Sequence, residues 1–303
     1  MVKVIGARIM HSLLSLLFLL ILGFSLVRLS GDPINFLVEP TASPAQKQMI
    51  REQLGLDRSI PIQFVDYLGQ LARGDLGLSF RYRAPVVDLI EQRLPNTLLM
   101  ATAAVLLMIA VAVPLGVQAA YRQGTSVDLT ARGIAALGQA VPDFWLGLML
   151  ILVFAVNLKW FPAGGYGGVS HLVLPAITLS FAAIAGLTRL LRSSMIEVLN
   201  SDYVLFLRAR GTPEPTILWK HSLRNAGLTS LSFIGVVIGG LVTGSVLVET
   251  IFNWPGIGLL FIEAVRNRDF GVAQGVMLFF GVAYIVSNLL VDVLYMRLNP
   301  RLR

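Results

Sequence analysis

The sequence predicts an all-α, polytopic membrane protein with six transmembrane helices and both termini in the cytoplasm. Three observations carry that expectation. The 303-residue chain is 55 % hydrophobic and only 14 % charged, with a mean hydropathy of +0.75, whereas a soluble domain carries roughly a quarter charged residues. Six apolar stretches reach or approach the roughly 20 residues a helix needs to cross the hydrocarbon layer. Lys and Arg are unequally divided between alternate loops, and positive charge collects on the cytoplasmic side.

The first stretch, Ile9 to Val27, follows Lys3 and Arg8. A signal peptide would begin this way, but its apolar core spans only about 7–15 residues and ends at an A-x-A site. This stretch is longer and has no such site, so residues 1–29 are read as an N-terminal segment with a retained helix. Residues 30–96 form a long extracytoplasmic loop with helical patterning. Phe64, Leu68 and Leu71 share one helical face, with Pro61 near the helix start. Val86, Leu89 and Ile90 repeat the pattern after Pro85. Both readings are of helices at the outer surface: a small cap lying on the membrane, or helices that only cover the bundle.

Residues 97–303 hold the other five spans. Thr97 to Ala120 has no charge, and Gly133 to Val156 has one acid, Asp143. Leu172 to Leu187 is short but continues toward Arg189 and Arg192. Gly227 to Val248 is the fifth. Val272 to Val291 is the sixth, followed by Asp292, which Arg297 can pair. The termini and the second and fourth loops carry thirteen Lys and Arg, the opposite side four (Arg28, Lys159, Arg266, Arg268). The seven in the long first loop are set aside, because long loops translocate largely regardless of charge.

The net charge of +7 fits this distribution. No basic stripe is interleaved with aromatics, which excludes nucleic acid as a partner. The absence of cysteine excludes thiol catalysis and Fe–S ligation. None of the four lysines follows a glycine, so no nucleotide-binding P-loop exists, and none of the three histidines belongs to H-E-x-x-H. G-x-S-x-G is absent. The chain therefore reads as a non-enzyme, with no catalytic site, no metal site and no cofactor of its own.

Asp143 is an acid inside a span, beside Pro142, Phe144 and Trp145, and such acids are functional by default. It lines a water-filled pathway, satisfies backbone groups freed at Pro142, or pairs with a neighbouring subunit. The fifth span carries two G-x-x-x-G pairs, Gly235/Gly239 and Gly240/Gly244, which let helices approach closely. They serve packing within the chain, or a subunit seam or moving pathway helix.

The fourth loop, 188–226, is the most informative cytoplasmic segment. Arg208-Ala209-Arg210 reads as a helix C-terminus with cations suited to its dipole. Gly211 breaks the helix with positive φ. Thr212 caps a second helix, Pro213 takes its first position and Glu214 suits its N-terminus. That short helix ends near His221 and groups Ile217, Leu218 and Trp219. The membrane, the same bundle or a docked protein covers them.

Ordered motifs run along nearly the whole chain: Gly31-Asp32-Pro33, Leu54-Gly55-Leu56-Asp57, Gly74-Asp75-Leu76-Gly77, Arg192-Ser193-Ser194-Met195, Asp202-Tyr203, Arg208-Ala209-Arg210-Gly211, His221-Ser222-Leu223-Arg224-Asn225-Ala226, Glu249 through Gly256, Arg268-Asp269 and Asn299-Pro300-Arg301. With them the chain resembles the inner-membrane permease subunits of bacterial ABC importers, specifically the first permease of the dipeptide, oligopeptide and nickel branch. The resemblance implies a type I importer permease fold in the inner membrane. It also implies that the helix after Gly211 is a coupling helix docking into an ATPase subunit. Arg208, Arg210, Gly211, Thr212, Pro213, Glu214, Ile217, Leu218, Trp219 and His221 would form that coupling site. The implied partners are a second homologous permease, two ABC ATPases that use ATP and Mg, an extracytoplasmic solute-binding protein and the lipid bilayer. Short peptides are the implied substrate. Nickel or another metal chelate is the alternative, since Trp160 through Tyr166 is similar to nickel-type members. A stand-alone secondary transporter or channel is more remote: no internal repeat is evident and only one acid lies in mid-span.

Overall fold

The computed structural model describes residues 2–29, 43–53, 55 and 57–298. Gly31-Asp32-Pro33, Leu54, Leu56, Asn299-Pro300-Arg301 and the side chains of Lys3, Arg8, Arg28, Asp292 and Arg297 lie outside the described residues. The described elements are helical. In chain order they are α1 Val2–Leu29, α2 Pro44–Gln53, α3 Ile60–Ala72, α4 Val86–Tyr121, α5 Ser126–Ala140, α6 Asp143–Leu150 with a π-helical continuation Ile151–Asn157, α7 Val169–Leu199, α8 Asp202–Ala209, α9 Glu214–Thr216 with a π-helical continuation Ile217–Ser222, α10 Leu223–Gly244, α11 Val246–Ile251, α12 Ile257–Arg266 and α13 Phe270–Leu298. They fall into two compact units, Met1–Pro95 with Gly256–Ala283 and Asn96–Pro255 with Tyr284–Arg303.

The first unit is built around Val86, Ile90, Ile257, Leu260, Ala264, Val272 and Val276, all buried. Helix α3 starts after extended Ser59, with Pro61 in its first turn, where an N–H has no helical partner to lose. Phe64 and Tyr67 of α3 pack on Phe24 of α1. The loop before α4 is pinned by a buried bond from Ser79 Oγ to Asp269 Oδ2 of 2.5 Å. The other oxygen of Asp269 accepts from the Val272 amide at the start of α13. The Val86, Leu89 and Ile90 pattern does not mark a separate surface helix. Val86 and Ile90 are core residues in the first turns of α4, and the helix passes Pro95 and Asn96 without a break. A proline removes one hydrogen bond from a helix, which 36 residues and about 54 Å of helix absorb.

In the second unit, glycines bring helices onto α7. A Cβ at Gly116 would meet the Thr188 carbonyl at 3.2 Å, and one at Gly138 would run into the Ala185 methyl. Small residues permit this approach between membrane helices. Trp254 is buried and its Nε1 donates to the Asn96 carbonyl at 2.9 Å, while Asn96 Nδ2 donates to the Pro255 carbonyl at 2.9 Å. Asp128 and Arg192 tie α5 to α7 with bonds of 2.6 and 3.0 Å, and the Gly124 amide also donates to Asp128.

Two sequence expectations are corrected here. The third apolar stretch, Gly133 to Val156, is not one helix. Val141 is extended (φ −89°, ψ 120°), and α5 diverges by 107° from the helix that starts at Asp143. Pro142 has no N–H to donate and drives the preceding residue out of helical conformation. Among the described residues, three helices are long and apolar enough to cross a bilayer: Val86–Tyr121, Val169–Leu199 and Phe270–Leu290. The bent pair of α5 and α6 is either a broken span or a re-entrant loop, and Met10–Ser25 and Ser230–Leu241 are shorter apolar helices. The second correction concerns the helix after Gly211. It does not end near His221, but runs through its π-helical segment straight into α10. No glycine or proline lies between Thr216 and Ala226 to stop it.

Asp128 is buried but Arg192 is partly exposed, so removing the acid loses charge-assisted hydrogen bonds worth about 1.5–3 kcal/mol. Asp128→Ala should therefore lower the detergent melting temperature strongly. A double-mutant cycle with Arg192→Ala should show coupling, and additive losses would mean that the pair does not stabilise the fold.

Candidate functional site

The fourth loop folds into a helical corner. Ser201 starts α8 from an extended conformation, and α8 ends in a Schellman motif. The Thr212 amide donates to the Leu207 carbonyl at 3.1 Å and the Gly211 amide to the Arg208 carbonyl at 2.9 Å. Gly211 holds φ +73°, the conformation this motif requires and glycine adopts without strain. The sequence placed that break correctly but set the following helix one residue early: Pro213, not Thr212, is its N-cap, and Glu214 is its first residue. Arg208 Nε donates to Glu214 Oε1 at 2.8 Å across the corner. Both side chains are solvent-accessible, so the bond orients the corner more than it stabilises it.

The corner sorts its apolar side chains in a way the spacing alone did not show. Ile217 is 0 % and Leu218 4 % exposed, packed with Val117, Leu191, Met195, Leu199 and Val204. These two residues are covered by the same chain, and only Trp219 of the expected trio is exposed. The π-helical turn explains the sorting: it places residues five apart on one side, so Ile217 and Ser222 face inward together. The exposed apolar surface is instead Tyr203, Leu205 (65 %), Phe206 (58 %) and Trp219. Leu205 and Phe206 were not among the residues expected to form this site. Tyr203 Oη lies 3.1 Å from His221 Nδ1, joining α8 to the π-helical turn. The Arg210 guanidinium stacks over Phe206 at 5.6 Å. Arg208, Arg210, Lys220 and Arg224 are all exposed around this surface.

Asp143 opens α6 directly after Pro142 and is half-buried. A carboxylate there complements the positive helix end. No ion pair forms with it among the described residues. Phe144 and Trp145 beside it are exposed, and Arg189 donates to Gln139 at 2.9 Å on the other arm of the break. Of the four glycines, Gly239 is buried, and a Cβ there would meet the Ser287 Cβ at 2.9 Å. It therefore packs α10 on α13 within the chain. A Cβ at Gly240 would meet open space. Gly235 is half-buried in α10 and Gly244 is its last residue.

Glu249 carried no assigned role in the sequence reading, yet it is fully buried. Its Oε1 accepts from Thr97 Oγ1 at 2.8 Å and from Ser245 Oγ at 2.9 Å. The available signal was an acid immediately following an apolar run. Among the described residues, no three His, Cys, Asp or Glu side chains gather as a metal site would require.

The chain has clear relatives. Residues 112–303 match the family described as the binding-protein-dependent transport system inner membrane component, and residues 1–101 match its N-terminal membrane component. The oligopeptide transport system permease protein AppB of Bacillus subtilis (strain 168) is 39 % identical over 307 residues, covering 97 % of each chain. A probable peptide ABC transporter permease of Sinorhizobium fredii is 39 % identical over 289 residues, covering 92 % of each. In fold, the chain is similar to the MetNI methionine ABC transporter in an inward-facing conformation, with a TM-score of 0.58 at 17 % identity, over 70 % of this chain and 97 % of that one. The chain belongs to the inner-membrane components of binding-protein-dependent transport systems, multi-pass proteins of the bacterial inner membrane.

Proposed function

We propose that the chain is a peptide-importer permease that forms half of a translocation pathway and is driven through the corner at Gly211. The observation that carries this reading is the exposed Tyr203, Leu205, Phe206 and Trp219 surface with its four basic neighbours. Cations at such a surface are costly in a lipid core. An apolar, aromatic patch with a polar rim is the anatomy of a protein interface. An ABC ATPase is the partner that the family supplies for it, since the family is the membrane component and hydrolysis belongs to the ATPases. The peptide substrate follows from the names of the relatives. Six spans with both termini cytoplasmic, a second homologous permease, two ATPases using ATP and Mg, and a solute-binding protein complete the assembly. α5 with α6 then counts as one broken span. Broken membrane helices are tolerated where they line a water-filled cavity or are buried in protein. We place Asp143 and Trp145 on the pathway for that reason.

In this scheme, substrate is delivered from outside and ATP binding closes the two ATPases. Their movement displaces the corner, and the displacement passes into α7 and α10.

An aromatic anchor contributes about 2 kcal/mol or more to an interface. Phe206→Asp should thus weaken ATPase capture roughly 30-fold and abolish uptake, while insertion and melting temperature stay unchanged. Leu218→Asp should instead destabilise the chain itself, because it buries a charge among Met195 and Leu199. Co-purification and thermal melting separate the two outcomes. ATPase capture unchanged in Phe206→Asp would remove the coupling assignment.

The chain has no cysteine, so Asp143→Cys introduces its single thiol. In the assembled transporter, a water-soluble cationic thiol reagent should modify it at a rate that changes when ATP and vanadate trap the complex. No modification in any state would mean that partner protein covers the break.

A further inference from the structure

Helix α3 has two apolar faces, and the described residues cover only one. Phe64, Tyr67, Leu68 and Leu71 are half-buried, and the Phe64 and Tyr67 rings lie 5.2 and 5.9 Å from the Phe24 ring of α1. Beside that face runs a second stripe, Ile62, Val65, Gly69 and Ala72, at helical spacing. All four are exposed, Ile62 at 50 % and Val65 at 66 %, and a Cβ added at Gly69 would meet no atom within 4 Å. Asp66, Gln70 and Arg73 occupy the remaining arc, with Asp66 neutralised by Arg58 at 2.9 Å. A helix this apolar around its circumference does not rest in water on one third of its surface.

The neighbouring helix indicates what covers the stripe. On α1, Met10, Leu13, Leu14, Leu17, Phe18 and Ile21 are exposed, as lipid-facing residues of a membrane helix are. Phe24, where α3 lands, is one turn beyond Ile21. The bare stripe therefore lies at the end of an exposed apolar run, the depth at which amphipathic helices lie in the headgroup and acyl boundary. Arg58 precedes the helix and is held on Asp66, and Arg73 caps its end, where a long cationic stem can snorkel to headgroup level.

We propose that α3 is a lipid-held strut: Ile62, Val65 and Ala72 enter the acyl boundary of one leaflet, Arg73 meets its phosphates, and Phe64 and Tyr67 brace α1. The proposal rests on membership of an inner-membrane family and not on which side α3 faces.

The experiment places single thiols at Val65→Cys and Gln70→Cys in the assembled transporter, labels them with an environment-sensitive fluorophore after the partners' own thiols are blocked, and reconstitutes the complex in phosphatidylethanolamine and phosphatidylglycerol vesicles. Shallow lipid-borne quenchers should quench the Val65 label several-fold more than the Gln70 label, and aqueous iodide should do the reverse. Equal quenching of both labels by iodide would overturn the proposal. So would a Val65 label insensitive to lipid-borne quenchers, or shielded from iodide only once binding protein is added, since each places water or protein on the stripe. The side from which iodide reaches the Gln70 label reports the orientation of α3, so an error there is read separately.

Discussion

A backbone amide or carbonyl inside a bilayer has no water to bond, so every interruption of a membrane helix must find its partners in protein or at a wet surface. That constraint accounts for where this chain bends. The break at Gly211 falls in a basic segment outside the apolar stretches, where solvent is at hand and the Schellman bonds close the helix end. The break after Gly244 falls beside a prepared network: the Glu249 amide donates to the Ser245 carbonyl and the Trp254 amide to the Glu249 carbonyl, both at 2.8 Å, while the Glu249 side chain gathers two hydroxyls. The break at Val141 and Pro142 is different. It keeps the Val141 and Leu146 amides bonded and presents Asp143 at the start of α6, with no ion pair to it among the described residues.

The corner at Gly211 combines a rigid seat with an exposed tip. Ile217 and Leu218 lock the second arm onto α7, and Val204 locks the first onto the same cluster. The second arm then continues into α10 with no loop between them. No turn or loop separates the π-helical segment from α10 near His221, so the corner joins α7 and α10 both by packing and by chain continuity.

How much of this was legible in the sequence depended on the range of the interaction. Gly211 was readable because a left-handed residue after a basic helix end is a local event, and Pro61 was readable for the same reason. The division of Ile217, Leu218 and Trp219 into buried and exposed was not, since a π-helical turn changes which residues share a side without changing composition. Val86 and Ile90 showed an amphipathic pattern, but a pattern does not say what lies against it. The third span read as continuous because Val141 and Pro142 are apolar and hydropathy is blind to a missing N–H. The Asp128 and Arg192 pair, 64 residues apart, left no mark on local periodicity. The family motifs marked Glu249 through Gly256 as a unit without revealing that Glu249 is a buried acceptor.

Exposed apolar surface is ambiguous on a membrane protein, because lipid and partner protein cover it equally well. The charged residues around each patch differ. Along α1 the exposed run from Met10 to Leu22 contains one polar interruption on the exposed side, His11, apart from serine, and no Lys, Arg, Asp or Glu; a bilayer accepts such a surface over its whole length. On α3 the cations stand only at the ends, which suits a helix lying flat at the headgroup level. At the corner, Arg208, Arg210, Lys220 and Arg224 are exposed on the same short segment as Leu205, Phe206 and Trp219, with the Arg210 guanidinium over the Phe206 ring, and charge is costly to immerse in lipid. Protein can match those charges one by one and lipid tails cannot.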